Sequence, residues 1–201
     1  PGPPMMERWH VQPGGGLAAA PPPAPASDRY RYDPADPTPN IGGAMFAFTG
    51  AGPVDNAMRE ARQDVLVYTS APLDRDLTII GQTQVSLHAR ASLPHVDFFL
   101  RLCDVGPDGV SINICDGLIR VTPETPVEAD GSWRLDFTLH ATAHCFRTGH
   151  RLRLQVSSGA HPRYARNLGT DEPVGTATAM VANDVEIFHE GTSLALAAYA
   201  L

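Results

Sequence analysis

The stretch VDFFLRLCDVGPDGVSINICDGLIR, Val96–Arg120, decides the fold class. It reads as a β-hairpin. The first arm, Asp97–Val105, sets Phe98, Leu100 and Leu102 on one face and Phe99, Cys103 and Val105 on the other. In the loop Gly106-Pro107-Asp108-Gly109, the proline suits a turn position with φ near −65°, and the second glycine suits the closing position. The second arm, Val110–Val121, runs Val110, Ile112 and Ile114 against Ser111, Asn113 and Cys115. A strand that is apolar on both faces is covered on both sides, which places the hairpin inside a sandwich. With 106–109 as the loop, position 103 is expected opposite 112, and 115 opposite 100. The two sulfurs then point to opposite faces and cannot form a disulfide. Cys103, Cys115 and Cys145 read as small buried hydrophobes, as in a reducing compartment.

Outward from the hairpin, short β-patterned runs follow from Asp64 onward: Val65–Thr69, Leu77–Ile80, Gln82–Ala89, Trp133–Ala141, His150–Ser157, Ala177–Phe188 and Ser193–Ala198. Val85, Leu87 and Ala89 alternate with Gln84, Ser86 and His88, the period of half-buried strands. Only Asn56–Gln63 and Ala179–Asn183 have helical character. This pattern predicts an all-β, jelly-roll β-sandwich of the galactose-binding-like kind, with eight or nine strands.

Pro1–Gly52 holds eleven of the nineteen prolines, so regular helix or a central strand is not expected there. Trp9, Tyr30, Tyr32, Met45, Phe46 and Phe48 argue against disorder, since each buried large side chain contributes ~1.5–3 kcal/mol. The expectation is an extended Pro/Gly-rich wrap, residues 1–63, belonging to the same domain as the sandwich, residues 64–201. A mobile section is expected near Gly14–Ser27.

The 201 residues carry a net charge of −7, and all fifteen basic residues are arginine. No basic run exists, so nucleic acid or an anionic membrane is not an expected partner. No run approaches the ~20 apolar residues of a membrane span.

Motifs that carry chemistry are sparse. Ser157-Ser158-Gly159 lacks the Gly-x-Ser-x-Gly frame between strand and helix that exposes a nucleophile. His140, His144 and Cys145 lack zinc spacing, and Asp171-Glu172 near Asp184 and Glu186 lacks the spacing of a calcium loop. No catalytic residue, cofactor or metal is therefore expected. The loop His161–Gly175 is long for a compact β domain and concentrates His161, Arg163, Tyr164, Arg166 and Asn167. It reads either as a solvated tip or as a docking surface.

Several blocks resemble the cocaine esterase / X-Pro dipeptidyl-peptidase group of serine hydrolases. They are Tyr30–Pro39 followed by Gly42-Gly43, Arg62–Ser70, Arg101–Gly109, Ile114–Arg120, Gly149–Arg153, and Ser157-Ser158 leading to Pro162-Arg163 and Arg166-Asn167. The resemblance runs from about Trp9 onward and implies the C-terminal, non-catalytic domain of such an enzyme. The catalytic Ser, Asp and His would lie outside this chain, which alone is expected to be inactive. The expected partners are the α/β-hydrolase and cap domains of the same parent chain, with a homo-oligomer possible and a cytoplasmic setting. The resemblance also implies that the loop after the glycine pair, Met45, Phe46, Ala47 and Phe48, walls a substrate pocket. Plain interdomain packing is the competing role. A stand-alone jelly-roll module binding carbohydrate or a protein is the alternative function, with Trp133 and Tyr164 as the sugar-stacking candidates.

Overall fold

A computed structural model describes residues 2–46, 50–173 and 175–200. Among these, regular structure consists of thirteen strands and one short helix. The strands are β1 (Met5–Gln12), β2 (Gly16–Ala18), β3 (Ser27–Tyr32), β4 (Leu66–Ser70), β5 (Leu77–Gly81), β6 (Gln84–Ala91), β7 (Val96–Val105), β8 (Ser111–Val121), β9 (Trp133–Thr138), β10 (Thr142–Phe146), β11 (Arg151–Ser157), β12 (Asn183–Phe188) and β13 (Ser193–Tyr199). The helix, α1, spans Ala57–Glu60. The main path of hydrogen-bonded strands runs β3-β12-β6-β13-β1-β2-β4-β11-β7-β8, with β9 on β6, β10 on β5, and β5 on β13. The β2–β4 pair is parallel, and the other pairs are antiparallel.

This sheet encloses a single core. Val85 and Leu87 of β6, Leu135 of β9, and Leu194 and Leu196 of β13 belong to the same buried cluster as Phe98, Leu100 and Leu102 of β7 and Leu152, Leu154 and Val156 of β11. Period-2 alternation directs each of these side chains inward. The expected all-β sandwich class holds, but with thirteen strands among the described residues instead of eight or nine. Trp133 is buried, with its ring centroid 6.4 Å from that of Phe98, so it offers no sugar-stacking surface.

Several boundaries differ from the sequence reading. The proline-rich segment does supply central structure: β1 pairs with β13 over Met5–Ala198 to His10–Ser193, and with β2 on its other side. Met5–Gln12 contains no proline, so the ladder loses no donor there. Gly16–Ala18, inside the section expected to be mobile, forms β2. The run Trp133–Ala141 ends at Thr138, and a separate strand, β10, follows. Leu139 N–H donates to Thr83 O and His140 N–H to Asp116 O, so the chain changes partners at this point. Strand β12 begins only at Asn183, and the helical character read into Ala179–Asn183 is absent.

The hairpin register also differs. Cys103 pairs with Asn113, not with position 112, and Cys115 pairs with Leu102, not with position 100. The register shifts at Leu102/Cys103, leaving Ile114 as the extra residue of a β-bulge. All three cysteines are free, and Cys103 and Cys115 are buried as expected, but Cys145 on β10 is only half-buried.

Candidate functional site

One face of β7 belongs to the core, while the other carries Phe99, Arg101 and Cys103, all buried under a second layer. That layer is made by the described residues between Pro34 and Asp64 together with the loop that begins at His161. Beneath it lies a polar network that the hydrophobic pattern did not reveal.

Arg101 is fully buried. Its Nη1 donates to Asn56 Oδ1 at 2.9 Å and to Ile41 O, and its Nη2 donates to Asp116 Oδ2 at 3.0 Å and Asn40 Oδ1 at 3.3 Å. Arg163 Nη1 reaches both oxygens of Asp116, at 2.8 and 2.9 Å. One carboxylate thus holds two guanidinium groups, each from a different segment.

Arg59, on α1, is equally buried. It donates to Gln155 Oε1 at 3.0 Å, Ser157 Oγ at 2.5 Å, Gly159 O at 3.0 Å and Pro39 O. Burial, with the nearby Arg101 charge second, disfavours its charged form. Its Cζ also lies 4.8 Å from the Phe99 ring centre, and Arg101 Cζ lies 5.3 Å from it. The ring face is negative, so it partly compensates two cations that have left water. Glu60 closes the network, accepting from Arg153 Nη1 at 2.5 Å, Ser111 Oγ at 2.6 Å and Gln155 Nε2 at 2.9 Å.

On this base sits the loop after the glycine pair. Gly43 and Gly52 exchange both backbone bonds, N–H to O at 2.8 and 2.9 Å, and so close the loop at its neck. Asn113 grips the returning strand: its Nδ2 donates to Gly52 O at 3.0 Å and its Oδ1 accepts from Val54 N–H at 2.9 Å. The glycines are required here. Gly43 has φ +84°, and a Cβ on it would fall 2.9 Å from Arg163 Nη1 and 3.0 Å from Asp116 Oδ2. Gly42 has φ +62°, and its Cβ would fall 2.6 Å from Asn113 Oδ1.

Beyond the neck, Met45 is half-buried, with its sulfur 3.1 Å from Asn40 Nδ2, while Phe46 is fully exposed. Ala47 and Phe48, expected in the same pocket wall, lie outside the described residues. Met58 on α1 and Val110 beside Ser111 add exposed apolar side chains next to the network.

The loop read as either a solvated tip or a docking surface turns its polar groups inward. His161 exchanges backbone bonds with the wrap, accepting from Asn40 N–H at 2.7 Å and donating to Thr38 O at 2.9 Å. Arg163 is committed to Asp116, Arg166 Nη1 donates to Pro34 O at 2.9 Å, and Asn167 Nδ2 donates to Asp97 Oδ1 at 2.8 Å. Tyr164 sets its ring 6.1 Å from Phe99, and Arg163 Cζ lies 5.1 Å from the Tyr164 ring centre. The wrap and this loop are therefore brought together over β7 and β8. Sequence reasoning missed Asn56, Arg59, Asn113, Asp116 and Gln155. The available signal was charge in the middle of apolar strands: Arg101 within FFLRLC and Asp116 within NICDGL.

The two metal candidates are engaged elsewhere. Asp104 accepts from His144 Nε2 and His150 Nδ1, both at 2.8 Å, and Glu186 and Asp184 pair with arginines.

Comparison with known proteins places this arrangement. The model of the X-Pro dipeptidyl-peptidase C-terminal non-catalytic domain matches residues 7–191. The cocaine esterase of Rhodococcus sp. (strain MB1 Bresler) is 36% identical over 165 residues, covering 78% of this chain but only 29% of that enzyme. An α-amino acid ester hydrolase superposes with TM-score 0.82 at 25% identity, over 96% of this chain and 36% of the other. An aminopeptidase from a Thaumarchaeota archaeon of marine sediment superposes with TM-score 0.87 at 25% identity, over 98% and 37%. This chain spans about a third of the length of these relatives and belongs to the X-Pro dipeptidyl-peptidase C-terminal non-catalytic domain family.

Proposed function

We propose that this domain walls the active-site cleft of a serine hydrolase carried on the same chain, and that the Gly43–Gly52 loop is the part that meets the substrate pocket. The observation that carries the reading is the contrast within that loop. Its neck is clamped over buried Arg101, Asp116 and Arg163, while Phe46 at its tip is fully exposed. An exposed aromatic on a clamped base is what an apolar pocket wall needs before its partner is added. Met45 shares that wall, and Ala47 and Phe48 continue it in sequence. The loop from His161, with Arg163, Tyr164, Arg166 and Asn167, docks the wrap over β7 and β8 and so supports the wall from behind. Residues 1–63 and 64–201 act together as one unit in this reading, because the wrap supplies the bonds that hold the loop neck.

The chemistry belongs to the hydrolase portion, where a serine would attack the carbonyl of an ester or of an Xaa-Pro peptide. In the protein at its natural length, Phe46→Ala should raise KM for hydrophobic acyl substrates with a smaller change in kcat. The present chain should not react with a fluorophosphonate probe, and a stoichiometric serine adduct on it would overturn the non-catalytic reading.

A further inference from the structure

Away from the strands β7 and β8 that carry the Gly43–Gly52 loop, a cavity of about 550 Å³ opens on the outer face of β1, β13, β6 and β9. Strand register explains its shape. His10, Ser193, Ser86 and Asp136 fall in one row across the four strands. The two serines in the middle of that row are short and leave a hollow. Arg8, His10 and Arg134 stand around it, and the proline run Pro21–Pro25 completes the lining with a backbone of restricted φ. Gly191 makes room for one of the cations, because a Cβ there would collide with Arg134 Nη1.

The charges in this cavity are unusual for the molecule. Ten of the fifteen arginines form ion pairs with carboxylates. Arg59, Arg151 and Arg166 donate instead to neutral oxygens. The remaining two are Arg8 and Arg134, and both line this cavity. Arg8 gives one bond, Nη1 to Ser193 Oγ at 2.9 Å, and Arg134 gives none among the described residues. Neither carboxylate of the lining forms an ion pair with them: Asp136 accepts from Ser86 Oγ at 2.7 Å, and Glu190 stands exposed at the rim. Burial, and then the Arg8 charge, push the His10 pKa down, which leaves a neutral imidazole able to hydrogen-bond at pH 7. In a chain of net charge −7, two guanidinium groups without a carboxylate partner among the described residues thus share one hollow of small-molecule size.

We propose that this cavity binds a small organic carboxylate, held by the guanidinium groups of Arg8 and Arg134 above the Ser86–Ser193 floor. The planar two-pronged donor of arginine matches a carboxylate and forms charge-assisted bonds with it. This site does not depend on the pocket-wall reading above.

The test is calorimetric titration of the protein at its natural length with succinate, with inorganic phosphate and galactose as comparison ligands. Saturable binding of one succinate per chain is expected. Arg8→Gln and Arg134→Gln should each weaken it about tenfold, the loss of one charge-assisted contact. Arg134→Lys keeps the charge but loses the fork, and should fall between wild type and Arg134→Gln. Thermal melts of the variants identify any misfolded protein, and the lysine variant keeps the test intact if a glutamine variant fails to fold. No saturable succinate binding, or an affinity untouched by these substitutions, overturns the proposal. Binding of phosphate or galactose without succinate overturns the carboxylate assignment.

Discussion

Arg101 and Asp116 face each other across β7 and β8, 3.0 Å apart and both buried. Asn113 stands on the same face although it is three residues from Asp116. In a regular strand that spacing would put the two on opposite faces. The bulge at Ile114 absorbs the odd residue, turning Cys115 into the core while Asn113 and Asp116 both meet the wrap. One irregularity therefore places both the charge that crowds the Cβ position of Gly43 and the amide that holds Gly52.

Removing that charge should be costly. Asp116→Ala leaves Arg101 and Arg163 without their carboxylate, and Arg101 cannot reach water. Breaking one partner of a buried pair typically costs about 3–5 kcal/mol. Urea unfolding measures this directly, and a loss below about 1 kcal/mol would mean that the neutral acceptors around Arg101 are sufficient without the carboxylate.

Two glycines of the loop, Gly43 and Gly50, should separate backbone strain from crowding. Gly50 has φ +75° with open space around its missing side chain, while Gly43 has φ +84° and three close polar neighbours. Gly50→Ala should cost about 1–2 kcal/mol, the penalty of the left-handed region. Gly43→Ala should cost clearly more, because Arg163, Asp116 and Arg101 must also shift. Equal losses in thermal melts would contradict the close packing of the neck.

Phe46→Ala should leave the stability of the domain within about 0.5 kcal/mol of wild type, since its side chain touches little here. The same substitution is expected to alter catalysis in the natural-length protein. A stability loss without a kinetic effect would make Phe46 a packing residue.

Acid should loosen the β3–β12–β6 corner. Burial alone would raise the Glu186 pKa, but bonds from Ser27, Arg29 and Arg90 outweigh it and pull it from 4.5 down to about 2. A carboxyl depressed in the folded state contributes stability above pH 4.5, and the contribution disappears as pH falls toward 2. Asp104 follows the same sign: burial opposes its charge, and the bonds from His144 and His150 more than offset this. Chemical unfolding from pH 6 to pH 2 should show wild type losing stability faster than Glu186→Gln over this window. Parallel curves would exclude Glu186 as a source of the acid sensitivity.

The amino-acid sequence by itself determined the class of fold and the family. Alternating runs such as Val85–Leu87–Ala89 and Leu152–Leu154–Val156 can bury one face only as strands, and that pattern is local. It also marked Gly42-Gly43 and the long loop at His161 as positions of interest. The tertiary structure alone decided which partners those positions take. The bulge at Ile114, the central place of β1 and the partners of Arg59 and Arg101 depend on segments far apart in the sequence, such as Met5 and Ala198 in the β1–β13 pair or Arg59 and Gly159 in their contact. A buried arginine in an apolar strand has no readable role until the chain supplies its acceptors. For Arg101 those acceptors come from Asp116 on β8, from Asn56, and from Asn40 and Ile41 of the proline-rich segment, whose lack of regular pattern hid its function as part of the second layer over β7.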